Sequence, residues 1–257
     1  MIVSVEWRNG FYHNLLSVNS SKTCYSLFNC KKASVNHDIN IKLNNSSIVK
    51  INSCVYLGIH IDDRLKWNIH VDSIYNGLVK YTSIFFKLRF ILPSDVLKNM
   101  YFSLVHSRLL YGIEIYGNAD LCVIDKLIKL NNRLLRTLQG KPMDHPVYRL
   151  YMNYDTLPIP VLYKFKVLKF MFMFNHHKSL LPSVFHDYFH TNSFVHQYNT
   201  RNTNDFHVYS CMTKFGSKSL LCNGPQLWNE LPVSLKANSS LSTFEKLLKA
   251  YLRNTSY

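Results

Sequence analysis

The chain has 257 residues, room for one large domain or two smaller ones, and 47% are apolar against 8 Gly and 8 Pro, which reads as globular and excludes a disordered chain. Lys+Arg 30 against Asp+Glu 15 leaves a formal net charge of +15, which favours a polyanionic partner, nucleic acid ahead of membrane. The chain is also rich in the Lys, Asn, Ile, Phe and Tyr that A/T-rich codons supply, so the placement of the charge must decide, not its total.

Met1 to Val5 is too short for a signal peptide, and no cleavage-site pattern follows. Asn14-Leu15-Leu16 leads through Asn19 to Lys22-Thr23, a polar turn before Tyr25, Leu27 and Phe28. Ile39 to Leu43 and Ile48 to Ser53 read as weak strands around a turn at Asn44-Asn45-Ser46-Ser47. Val55, Leu57, Ile59 and Ile61 then alternate with other residues, the period of one strand with a buried face, and Gly58 in its middle would let another backbone or a nucleic-acid strand come close.

Asp62 or Asp63 reads as the cap of a helix running to about Arg89. Trp67, Val71, Ile74, Leu78, Tyr81 and Phe85 recur at four and three, a heptad seam that wants a partner helix, with Lys66, Lys80 and Lys87 on a line beside it. Pro93-Ser94-Asp95 opens a second helix over about 96 to 115, with Leu97, Met100, Leu104, Tyr111 and Ile115 among its apolar positions.

A third helix is expected over Leu121 to Leu138, apolar at Ile124, Leu127, Leu134 and Leu138 and interrupted by Asn131. Lys126, Lys129, Arg133 and Arg136 are spaced three, four and three, which puts them in one stripe with no acidic residue interleaved. A phosphate backbone would relieve their mutual repulsion and release counterions. The alternative is a solvated basic face.

Leu162 to Phe174 reads as a buried helix, since the apolar stretch from Val161 carries Lys164, Lys166 and Lys169 and is shorter than the roughly 20 residues of a membrane span. His186 and His190, four apart, would share a helix face, but no Cys or carboxylate stands nearby at ligand spacing. Residues 191 to 226 are expected to be loop-heavy. Ser242-Thr243-Phe244-Glu245 reads as a capping box for a last helix with Leu241, Phe244, Leu248 and Tyr251 inward and Lys246, Lys249 and Arg253 outward. Cysteines at 24, 30, 54, 122, 211 and 222 form no Cys-x-x-Cys pair, so free thiols in a reducing, intracellular compartment (nuclear or cytoplasmic) are expected.

Four segments carry a resemblance, in order: Trp7 followed by Asn14, Leu16, Asn19 and Lys22-Thr23; Tyr56-Leu57-Gly58-Ile59 through Asp62, Leu65 and Trp67 to His70; His106-Ser107-Arg108-Leu109-Leu110-Tyr111-Gly112; and Trp228-Asn229-Glu230-Leu231-Pro232. Together they resemble the C-terminal part of the reverse transcriptase of jockey-like non-LTR retrotransposons. The resemblance implies an α+β, mostly α chain: the end of a polymerase palm over 1 to 60, a helical thumb over 61 to 140, and a helical and loop region over 141 to 257. It makes Leu57 and Gly58 part of a primer grip and puts Lys22 near the incoming nucleotide.

Polymerase chemistry needs carboxylates from two motifs to hold two metal ions. Asp62-Asp63 follows Ile59-His60-Ile61 and precedes a heptad pattern, so it reads as a helix start, and no second motif offers the partner carboxylate. The expectation is a fragment without a catalytic residue or cofactor of its own, Mg²⁺ belonging to the intact parent. It would at most hold a primer–template duplex, and the missing N-terminal polymerase part would be a further partner. A basic helical interaction module of unrelated origin, or a decayed copy without function, are the other readings.

Overall fold

A computed structural model of the chain describes residues 13–15, 19, 22–28, 41–43, 46–195 and 203–255. Trp7 and the Met1 to Val5 segment, Ile39 and the Asn44-Asn45 turn lie outside the described residues. The fold is mostly helical with short two-stranded ladders, an α+β arrangement dominated by α, and it divides into two compact units, residues 1–70 and 71–257.

In the first unit β1 (Cys24–Tyr25) lies parallel to β4 (Val49–Lys50), while β2 (Lys42–Leu43) and β3 (Ser46–Ser47) pair antiparallel. The single strand expected through Gly58 is instead a hairpin. β5 (Ser53–Tyr56) and β6 (Ile59–Asp62) run antiparallel, with Tyr56 opposite Ile59. Leu57 (φ 47) and Gly58 (φ 78) are both left-handed, as the two central residues of a twist-matched hairpin turn must be. The turn breaks the alternating face. Val55 and Leu57 are exposed, at 61% and 71%, and Ile59 is buried.

Asp62 caps no helix. Its carboxylate accepts the backbone N–H groups of Arg64, Lys66 and Trp67 at 3.0–3.1 Å, which winds residues 63–67 into a loop, and the helix starts only at Asn68. Such local bonds from an Asp to its own following backbone compete with helix formation. Trp67 sits in this loop at φ 67, half-buried, so it is not part of a helical seam.

In the second unit the expected long helix is split at Lys80 into α1 (Asn68–Val79), which begins within the first unit, and α2 (Tyr81–Leu88). Val71, Leu78, Tyr81 and Phe85 are buried, and α2 packs on the helix over Leu121–Leu138. α3 (Ser94–Tyr101) runs into a π-helical turn, Phe102–His106, then α4 (Ser107–Leu110). Gly112, at φ 68, breaks the run before α5 (Ile113–Tyr116).

The π-turn changes which residues face inward. Leu97, Tyr101, Val105, Leu109 and Ile113 recur every fourth residue and are all buried, whereas Tyr111 and Ile115, expected inward, are 56% and 48% exposed. In a regular α-helix each step of four drifts about 40° around the axis. A wider i→i+5 turn takes up that drift and keeps the row on one side.

α6 (Leu121–Leu138) matches the expected third helix at both ends, with Ile124, Leu127, Leu130, Leu134, Leu135 and Leu138 buried. Asn131 does not interrupt the core but joins it, 1% exposed. Its Oδ1 accepts the Tyr101 hydroxyl at 3.1 Å, and its Nδ2 donates to the Tyr151 hydroxyl at 3.1 Å from α7 (Val147–Asn153).

α8 (Ile159–His176) is the buried helix expected from its apolar run, entered through Pro158 and Pro160. Helix α9 (Asn192–Val195) and α10 (Lys214–Ser217) are single turns; α11 (Leu220–Asn229) packs on α8, then follow α12 (Val233–Lys236) and α13 (Leu241–Thr255), also on α8. Residues 191 to 226 thus hold more helix than expected. His186 and His190 share no helix: His186 Nε2 lies 3.0 Å from the Leu181 carbonyl, and His190 stacks on Phe194.

The Trp-Asn-x-Leu-Pro segment is a packing device. Trp228 and Leu231 are buried, and Asn229 brackets the Phe206 backbone, accepting its N–H at 3.1 Å and donating to its carbonyl at 2.7 Å. In α13 the buried row is Phe244, Leu248 and Leu252, with Tyr251 only half-buried. The capping box does not form, since Glu245 pairs with Lys169 of α8, and Phe244 N–H bonds back to the Ser240 carbonyl instead. Lys249 and Arg253 turn onto Asp155, which sits at φ 52, rather than outward.

The sulfurs of Cys211 and Cys222 are in bonding contact, so at these two positions the free-thiol expectation is corrected; among the described residues Cys24, Cys54 and Cys122 are free, and Cys30 lies outside them. The pair was not legible because its separation of 11 residues fits no local motif and arises when the loop folds back on α11.

Burial, and then the Lys249 and Lys166 charges, hold His106 down at about 4, from an ordinary value of 6.5. The folded chain therefore keeps the ring neutral where the unfolded chain protonates it. Stability conferred by this site is expected to be full above 6.5 and to fall as pH drops through 6.5 toward about 4. Urea melts across that window check it: His106→Gln should flatten the acid limb, and an unchanged limb would assign the loss to other groups.

Candidate nucleic-acid interface

The sequence of α6 separates two faces. Its apolar residues and Asn131 turn inward, and Lys126, Lys129, Arg133 and Arg136 fall within an arc of about 80° on another side. A rigid 18-residue helix thus presents four cations along one line. The structure brings these four together as expected.

Their charges are not all free. Lys126 forms an ion pair with Asp72 of α1, and Lys129 pairs with Asp125 at 2.6 Å one turn back on the same helix. The expectation that no acid is interleaved is thereby corrected: Asp125, four residues before Lys129, was visible in the sequence as an i,i+4 partner. Arg136 leans on the His145 carbonyl at 3.5 Å. Arg133 is exposed and, among the described residues, has no ion pair or side-chain hydrogen bond. Exposed pairs of this kind are worth about 0–1 kcal/mol, so a phosphate can displace the carboxylates at small cost.

Of the remaining expected contacts, Lys87 lies exposed on α2 and Lys80 in the break before it, its Nζ 5.5 Å from the Tyr81 ring centroid. Lys66 precedes α1, so the line of Lys66, Lys80 and Lys87 along one helix does not exist. Leu57 and Gly58 form the exposed hairpin turn of the first unit, and Gly58 is not in mid-strand. Lys22 is exposed in a turn whose N–H bonds the Asn19 carbonyl at 3.2 Å and the Asn19 Oδ1 at 3.3 Å.

The motif over 106 to 112 builds the scaffold rather than the surface. His106 and Leu109 point inward, Arg108 Nη1 donates to the Gly77 carbonyl at 3.3 Å, and Gly112 supplies the left-handed break. Asp120, at the α6 N-terminus, binds Lys218 at 2.9 Å and Lys214 at 3.0 Å, and these bonds hold its carboxyl down at about 2. Sequence reasoning passed over this cluster because Lys218 lies 98 residues from Asp120.

Among the described residues, no group of His, Cys, Asp or Glu is arranged to hold a metal ion, and no helix is long and apolar enough to cross a membrane. The chain matches no family model, no curated protein and no solved structure.

Proposed function

We propose that the chain is the thumb and C-terminal part of a non-LTR retrotransposon-type RNA-directed DNA polymerase and that it holds duplex nucleic acid, inside the cell, through phosphate contacts. The observation that carries this reading is the line of Lys126, Lys129, Arg133 and Arg136 on one buried-backed helix of a chain with net charge +15. The ordered motif resemblance supports the ancestry. Phosphate contacts position a duplex without reading its sequence, so binding is expected to be insensitive to base composition.

The reading assigns no catalytic residue. Asp62 is engaged by three backbone N–H groups, and its neighbour Asp63 donates its own N–H to the Asn52 carbonyl at 2.8 Å. Primer extension with purified chain, template, nucleotides and Mg²⁺ is expected to give no product. Product that vanished in Asp63→Asn would overturn this. Fluorescence anisotropy with labelled duplexes of unrelated sequence tests the binding itself, and similar affinities for all of them are expected.

A further inference from the structure

The end of α2 carries a feature that the α6 stripe does not explain. Phe86, Phe90 and Ile91 are 53%, 73% and 73% exposed, large apolar side chains left in water at a turn. Arg89 lies against both rings, its guanidinium carbon 4.3 Å from the Phe86 centroid and 4.5 Å from that of Phe90. The rings themselves meet edge to face at 5.9 Å. Arg89 has no ion pair among the described residues, and its Nε is enclosed without a hydrogen-bond partner. Lys87 stands exposed beside it, and no acidic residue occurs from Ser73 to Ser94.

We propose that this tip, Phe86, Lys87, Arg89 and Phe90, is a stacking platform for the bases of single-stranded nucleic acid. A guanidinium held against two exposed rings is a preformed cation–π cluster, and an unpaired base can stack on an open ring face while Lys87 and Arg89 meet the adjoining phosphates. The local charge is complementary to such a strand and to no cationic partner. A lipid surface fits less well. Burying Phe86 and Phe90 in an apolar layer would carry the guanidinium beside them out of water, which is costly without a counter-ion. Stacking asks for no such transfer, because the bases approach from solvent.

This surface is separate from the α6 stripe and binds a different form of nucleic acid, so the two can fail independently. The test compares oligo(dT) with an abasic oligomer of equal length, which keeps the phosphates and removes the bases. The wild-type chain is expected to bind the abasic strand about tenfold more weakly or worse. Phe86→Leu/Phe90→Leu keeps apolar bulk and removes the rings, and it should lower oligo(dT) affinity to the abasic level while duplex affinity stays within about twofold. Equal wild-type affinity for the two strands, or none for either, overturns the proposal. So does retention on phosphatidylserine-containing vesicles without a preference for bases, which would give the tip to a membrane. The wild-type comparison stands even if the double variant fails to fold.

Discussion

Phe244→Ala is expected to lower unfolding free energy by roughly 3–5 kcal/mol, the cost of removing a large aromatic from a site that cannot collapse. Phe244 is 0% exposed and stacks on Phe172 of α8 with ring centroids 4.3 Å apart and planes 21° from parallel. Trp228 of α11 adds a third ring at 6.0 Å. The side chain thus ties α13, α8 and α11 into one core, and alanine would leave a void beside the rings of Phe172 and Trp228. Phe244→Leu should recover most of the loss. Denaturant melts measure both, and a cost below about 1 kcal/mol for alanine would mean that α13 does not dock on α8.

Asn131→Leu is expected to cost roughly 1–3 kcal/mol, although leucine is close to isosteric and apolar. The Tyr101 hydroxyl, 0% exposed, is left without its acceptor, and the desolvation already spent on it is no longer offset. Burial pushes the Tyr101 hydroxyl well above its usual range, so ionisation offers no relief. The diagnostic result is coupling. Tyr101→Phe should be less harmful in the Asn131→Leu background than in the wild type, because both ends of the bond are then gone. Additive costs would show that the bond contributes nothing.

Much of the second unit was legible because its helices follow a simple period. α6 could be read to the residue, since its apolar positions and its cations each keep a helical spacing built of threes and fours, and α8 showed itself as an apolar run too long for a strand. The readings failed where local geometry departs from the regular period. Leu57 is an unusual residue for a left-handed turn position, so the hairpin looked like one strand. The carboxylate of Asp62 spends itself on a loop, which delays the helix and removes Trp67 and Lys66 from it. The π-turn at Phe102–His106 converts a fourfold spacing into a straight buried row, something a regular helix cannot do.

Long-range charge pairing was the other blind spot. The α6 stripe was legible as a line of cations, but the Asp72 partner of Lys126 is 54 residues away and belongs to another helix. The clamp of Lys249 and Arg253 on Asp155 and the Lys214–Asp120–Lys218 cluster share this origin. Each ties a cation to an acid that the net charge of +15 already counts, so the placement of the unpaired cations, not the total of 30 Lys and Arg, decides where phosphate can bind.

That distinction makes the central claim measurable. The slope of log affinity against log salt on a B-form duplex falls by about 0.9 for each phosphate contact removed. Arg133→Gln/Arg136→Gln removes the two stripe cations that lack a carboxylate partner among the described residues, and Lys126→Gln/Lys129→Gln removes the two that have one. Glutamine keeps helix propensity nearly level, so folding should survive in both. The arginine pair is expected to reduce the slope by close to two contacts and to weaken every duplex sequence alike; the lysine pair should reduce it by less, because each phosphate contact there must first displace Asp72 or Asp125. A wild-type slope in the arginine variant would contradict the account and leave the stripe a solvated face.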